Sequence, residues 1–329
     1  MNTSDSFSLL LNELSRDLSD INDRLALVGI LYLGKKSIEA FRNFSRAIGH
    51  YLIPAFVSND KWLRSLGNWA IVFGCLNQIG YGYARELAKR KINLILIDQN
   101  QELLTRMSQA LSSDFQIEAI IINIDSRNFG SLVPVEKAII GRDIGILVNS
   151  SCFDQEWSYF HALSKNFIEN SICSNVATFS LLVRMILPSM FQKNKGAIVN
   201  FSTKNSLFSS PFMSISGATN SFTEKFIESL SYEYSNKNLF FQTINTGFLN
   251  EEKIKFENDI ELSKNLALYS SSAIRTLGWS GYSFGYWLNA FKVFLIMKNF
   301  PLNFSNFMYS RILRRKFIKS IENIAKKSK

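Results

Sequence analysis

Cysteine, histidine and proline are all scarce in this chain, and each scarcity removes a class of protein. Cys75, Cys152 and Cys173 stand far apart. They make neither a disulfide framework nor a metal-ligand pair. With only His50 and His161 beside them, no zinc site is expected. A reducing compartment is the simplest inference. Five prolines and sixteen glycines in 329 residues leave no room for a low-complexity linker. No repeat of fixed period is found. No basic stretch followed by an apolar run opens the chain, so no secretory signal is expected. Long hydrophobic runs are missing as well. The apolar stretch Leu25–Leu33 falls short of the ~20 residues that span a bilayer. The 284–300 stretch is interrupted by Asn289, Lys292 and Lys298. We expect the first to be an amphipathic or buried helix. The second should pack on the core or rest at a surface. The last absence concerns tyrosine: none lies between Tyr159 and Tyr232.

What is present reads as a globular protein. Hydrophobic residues make up 47% and charged residues 19%, outside the range of disordered chains. The net charge is +10, and much of it is local. Arg311, Arg314, Arg315, Lys316, Lys319, Lys326, Lys327 and Lys329 alternate with Ile312, Leu313, Phe317, Ile318, Ile321 and Ile324. That pattern suits a basic amphipathic helix on an anionic membrane or a partner. It suits equally a terminal helix whose apolar stripe docks on the body. Nucleic-acid binding is not expected, because no binding motif accompanies the charge.

The rhythm along the chain predicts a doubly wound α/β fold. Residues 1–66 carry helical periodicity, broken by Pro54. From Trp69, short apolar runs alternate with helical patterns. The runs are Trp69–Phe73, Leu94–Ile97, Ile117–Ile122, Ile144–Val148, Ala197–Phe201 and Leu239–Ile244. Helical patterns occupy 80–90, 101–112, 130–141, 166–190 and 214–235. Near-continuous apolar strands alternating with helices mean a parallel sheet covered on both faces. With a glycine-containing first turn, this is a Rossmann-type dinucleotide fold. We divide the chain into a 1–66 helical segment, a 67–265 Rossmann-like domain and a 266–329 helical extension with a basic tail. The polar 250–275 stretch reads as a loop.

The first turn is Phe73-Gly74-Cys75-Leu76-Asn77-Gln78-Ile79-Gly80. Glycines at such a turn let a pyrophosphate approach the following helix N-terminus. Gln78 there would crowd the phosphates and strain the backbone. Asp98 ends the second strand. An acid in this place hydrogen-bonds an adenosine ribose and favours NAD over NADP. We take it first as an ordinary helix N-cap. Asp125 after the third strand reads as an ordinary cap too, and its location resembles that of the acid that touches the adenine in dinucleotide-binding relatives.

These segments resemble the short-chain dehydrogenase/reductase family. Gly74 and Gly80 match its Thr-Gly-x-x-x-Gly-x-Gly pattern, with Phe73 and Gln78 as departures. Asn149 keeps the first residue of Asn-Asn-x-Gly, with Cys152 in place of the glycine. Further matches, including Ala26-Leu27-Val28-Gly29, Ile53-Pro54, Gly67-Asn68-Trp69-Ala70, Thr276-Leu277-Gly278 and Gly285-Tyr286-Trp287, lie partly outside the common fold. They point to the 17-beta-hydroxysteroid dehydrogenase branch, and within it to a subgroup regarded as inactive and associated with mitochondria. The resemblance implies a catalytic Asn, Ser, Tyr and Lys. Asn175 stands at the first position and Thr203 at the second. Ser216 stands where Tyr belongs and Asn220 where Lys belongs. A serine hydroxyl is a far weaker acid than a phenol of pKa ~10, and Asn220 carries no charge to lower a neighbour's pKa. General acid–base help worth ~10²–10⁴-fold is thereby missing. Lys204 is the one nearby group that could substitute. Thr246-Gly247-Phe248 then leads to Glu251 and Glu252, which would repel a phosphate.

The expectation is therefore a catalytically inactive relative that binds a protein partner or an apolar ligand. It should hold no cofactor tightly, with NAD or NADP at most weakly. The alternative is an NAD(P)-dependent oxidoreductase of steroid or fatty acyl substrates with a non-standard site. The resemblance further implies a homodimer through 166–190 and 214–235. It implies residence in the mitochondrion, or else in the endoplasmic reticulum membrane or cytoplasm. A membrane-surface role for the aromatic C-terminal region and basic tail is compatible with the first reading.

Overall fold

Every apolar run from Trp69 onward becomes a strand of one sheet. The computed structural model describes residues 25–39, a few positions between 41 and 54, and then 57–125, 132–151, 157–247, 264–299 and 302–327. The chain divides into two compact units, Met1–Ile53 and Pro54–Lys329.

In the first unit, residues 25–39 are helical. Leu25, Leu27, Val28, Ile30, Leu31 and Leu33 are each about 60% exposed or more. The run is thus neither buried nor one-sided. Apolar residues at near-consecutive positions spread round a helix that turns ~100° per residue.

The second unit opens with α1 (Asp60–Leu66) and β1 (Trp69–Phe73). There follow α2 (Gln78–Lys89), β2 (Asn93–Asp98), α3 (Gln101–Phe115), β3 (Ala119–Asn123), α4 (Val133–Ile139) and β4 (Ile144–Asn149). The long helix α5 (Lys165–Lys193) precedes β5 (Gly196–Ser202), α6 (Ser214–Glu233) and β6 (Leu239–Asn245). The chain ends with α7 (Lys264–Arg275), β7 (Tyr282–Ser283), α8 (Trp287–Asn299) and α9 (Leu302–Lys327). The polar stretch read as a loop up to 275 therefore ends in a helix: Leu266, Tyr269, Ala273 and Ile274 recur at helical spacing and are buried.

The seven strands are all parallel, in the order β3-β2-β1-β4-β5-β6-β7. Alternate strand residues feed two cores. Ala70, Val72, Leu94, Leu96, Ile146 and Val148 pack under α2, α3 and α7. Ile71, Phe73, Ile95, Ile97, Leu147 and Ile198 pack under α4, α5 and α6. Burial on both faces is what makes these strands continuous apolar runs. The strand order reverses between β1 and β4, and carboxyl ends at such a switch point form a natural crevice.

α5 is the one described helix long and apolar enough to cross a membrane by length and composition. It lies in this unit as a core helix, with Phe179, Leu182, Val183, Ile186 and Met190 against the sheet. Its middle, Cys173–Thr178, widens into a π-helical turn. Such turns interrupt the regular ladder and re-aim a side chain; here the turn carries Asn175.

Candidate functional site

The crevice is built from the ends of β1, β2, β4 and β5. Register sets Phe73 beside both Ile97 and Asn149, and Asn149 beside Asn200. Gly74 turns the chain out of β1 with φ +74°. Its α-carbon faces the backbone of Ser151, and Gly80 faces the Gly74 carbonyl. Both glycines therefore serve close approach of the chain to itself.

Asn77 fastens this turn, a role the sequence reading missed. Its Oδ1 accepts from the N–H groups of Ile79 (3.0 Å) and Gly80 (2.8 Å), capping α2. Its Nδ2 donates to the carbonyls of Gly74 and Ser150. An Asn before a helical run is a cap signal that could have been read. We expect Asn77→Ala to lower unfolding free energy by about 2 kcal/mol, since a cap alone is worth 0.5–2 kcal/mol and two carbonyls lose their donor as well. Urea denaturation would measure it, and a change within error would refute the fastening role.

Gln78 is the first residue of α2 and has no left-handed φ. The expected strain is therefore absent: the position is helical, and helical backbone accepts any side chain. Asp98 is not the cap of α3. That role falls to Asn100, whose side chain accepts from Leu103 N–H at 3.0 Å. Asp98 sits two residues too early and instead reaches across to the glycine turn. Its carboxylate accepts from Leu76 N–H (2.9 Å) and Gln99 N–H (2.8 Å). Asp125 lies exposed just beyond β3. Asn149 is wholly buried. Its Nδ2 donates to Asn200 Oδ1 at 2.8 Å, and its Oδ1 accepts from the Ser151 hydroxyl at 2.8 Å. Cys152, Phe248, Glu251 and Glu252 lie outside the described residues.

Thr203 and Asn220 meet directly. Asn220 Nδ2 donates to Thr203 Oγ1 at 2.9 Å, and both residues are wholly buried. Among the described residues, the Asn220 Oδ1 has no hydrogen-bond partner. Ser216, one turn earlier on α6, is also buried. Asn175 is brought not to Ser216 but to Thr219, donating to its hydroxyl at 3.2 Å. The four family positions thus fall in two pairs: Asn220 with Thr203, and Asn175 with the Ser216 carbonyl through the Thr219 hydroxyl. None of the four side chains is ionisable. Lys204 opens the short 3-10 turn after Thr203 and is half-buried.

Asn205 and Tyr309 were also missed. Asn205 donates its N–H to Thr203 Oγ1 at 3.3 Å. Its Oδ1 accepts from the Tyr309 hydroxyl, delivered by α9 at 2.9 Å. Around this bond Tyr309 and Leu313 pack with Phe208 and Met213, bordered by Trp157 and Leu207. Phe317 stacks on Phe212 with ring centroids 4.3 Å apart. No local signal marks Tyr309. Only the spacing of Ser305, Tyr309, Leu313 and Phe317 places it on the docked stripe.

Burial pushes the Tyr83 phenol and the Cys75 thiol well above their ordinary values. Among the described residues, no group of three His, Cys, Asp or Glu side chains could hold a metal ion.

The family model for short chain dehydrogenase matches residues 68–259. This chain belongs to the short-chain dehydrogenase family. The human inactive hydroxysteroid dehydrogenase-like protein 1 is 32% identical over 303 residues, covering 90% of this chain and 92% of the relative. The chicken hydroxysteroid dehydrogenase-like protein 1 is 33% identical, covering 86% and 87%. A very-long-chain 3-oxoacyl-CoA reductase of Macaca fascicularis is 30% identical over 72% of this chain and 76% of its own. Among solved structures, a 7beta-hydroxysteroid dehydrogenase superposes with TM-score 0.67 at 19% identity, covering 76% of this chain and 98% of that one. At that identity the match speaks for the fold alone.

Proposed function

We propose that this family member is catalytically silent and serves as a scaffold that binds a protein partner or an apolar ligand. The observation that carries the reading is the Asn220–Thr203 hydrogen bond. Where the family pattern calls for a lysine and a tyrosine, an amide is spent on the threonine hydroxyl. The name borne by the human relative supports it. The turn after β1 suits no tightly held dinucleotide. Two N–H groups at the head of α2 are taken by Asn77, and Gln78 adds a side chain where a pyrophosphate would lie. The reading carries with it the mitochondrial residence and the homodimer of the family resemblance. Exposed Ile172, Phe191 and Phe222 on α5 and α6 supply apolar surface for such pairing.

The test is a titration of the purified chain with NADH and NADPH, read by thermal midpoint and by turnover with steroid and acyl-CoA ketones. A cofactor at a hundred times its Kd stabilises by ~2.7 kcal/mol, which is roughly 2–4 °C for each kcal/mol in a domain of this size. We expect no shift and no turnover. A saturable shift with turnover would instead support an oxidoreductase working through Asn175 and Thr203.

A further inference from the structure

We propose that the outward face of α9 is a docking surface for an anionic lipid bilayer. The inference goes beyond the functional reading above and stands whether or not the site turns over. The helix is held to the body by a stripe one residue wide: Ser305, Tyr309, Leu313 and Phe317 are buried. At ~100° per residue, Phe307 falls opposite that stripe, while Phe304, Met308, Ile312 and Ile318 flank it. These five are between 43% and 51% exposed. Arg311, Arg315 and Lys319 also fall opposite the stripe, Arg314 flanks it, and all four are exposed. Aromatic groups and cations are thus interleaved on one face instead of segregated. The Arg311 guanidinium lies 5.0 Å from the centre of the Phe307 ring.

A purely solvated face would not carry five large apolar groups. The charge on this face is of one sign, because no Asp or Glu occurs between Glu261 and Glu322, and that suits an anionic surface. The nearest helix adds to the pattern. On α8, Trp287 and Phe291 are about half exposed and Lys292 is exposed beside them. Apolar side chains that enter the headgroup boundary, with cations at the same depth, match what an anionic interface offers. Nucleic acid would use the cations but leave the aliphatic Met308, Ile312 and Ile318 unrewarded.

The experiment uses the full chain and sedimentation with vesicles of phosphatidylcholine alone or mixed with phosphatidylserine. The expected result is binding to the mixed vesicles, weakened by salt and weak on phosphatidylcholine alone. The variant Arg311→Gln, Arg314→Gln, Arg315→Gln, Lys319→Gln changes only exposed positions. It should reduce partitioning by roughly fivefold per charge removed. Phe304→Ser with Phe307→Ser should reduce it independently. Equal binding to both vesicle types would overturn the proposal, as would mixed-vesicle binding indifferent to the four-charge variant. So would tighter binding to a single-stranded RNA that persists in the Phe304→Ser, Phe307→Ser variant. Circular dichroism and the thermal midpoint of each variant, matched to the parent, keep a lost interaction distinct from a lost fold.

Discussion

Alanine at Gly80 should cost the fold about 3 kcal/mol, whether or not a dinucleotide is in solution. A methyl group there would lie 2.4 Å from the Gly74 carbonyl oxygen and 3.0 Å from the Cys75 α-carbon. Both are backbone atoms, so neither can swing aside as a long side chain would. Alanine at Gly74 should do at least as much harm. Its methyl would lie 2.6 Å from Ser151 N, and its φ of +74° is one that side-chain-bearing residues rarely adopt. Urea unfolding of each variant, with and without NADH, gives the measurement. If Gly80→Ala unfolds like the parent, the glycines answer to a ligand after all and the self-packing account is wrong.

The second large effect concerns restoration. Ser216→Tyr with Asn220→Lys rewrites both missing residues of the family pattern, yet we expect no NADH or NADPH turnover from it. The pair should also lower stability by about 2–5 kcal/mol. Asn220 is wholly buried and bonded to Thr203, so an ammonium placed there enters a dry site and breaks that bond. Tyrosine at buried Ser216 forces a ring into packed surroundings at the head of α6. Steady-state assays beside thermal unfolding would separate the two expectations. Recovered turnover would mean that the phosphate side of the crevice is still in working order.

The strands were legible because a sheet covered on both faces needs apolar residues at consecutive positions, as in Ile144–Val148. β7 was not, because two residues, Tyr282 and Ser283, make no pattern. The π-helical turn at Cys173–Thr178 was hidden by periodicity that continues on either side of it. At the site, the positions of Asn175, Thr203, Ser216 and Asn220 followed from the resemblance to the family pattern. Their hydrogen bonds could not, since Asn175 turns to Thr219 and Asn220 to Thr203. Asp98 misled because an acid before a helix is an ordinary cap, and only the folded turn shows Leu76 N–H within its reach. The tail's pattern suited a membrane or partner contact and a docked stripe equally. The structure docks a stripe at every fourth residue on the body, and the rest of α9 stays exposed.

Asn77 has a consequence for how such a chain can change over generations. In a fold whose nucleotide loop is completed by its guest, stability and chemistry are selected together. Here the loop is closed by the chain's own amide, through the carbonyls of Gly74 and Ser150 and the N–H groups of Ile79 and Gly80. Replacements at 78, 216 and 220 would then be judged by packing and not by lost occupancy: strictly at buried Ser216 and Asn220, loosely at half-buried Gln78.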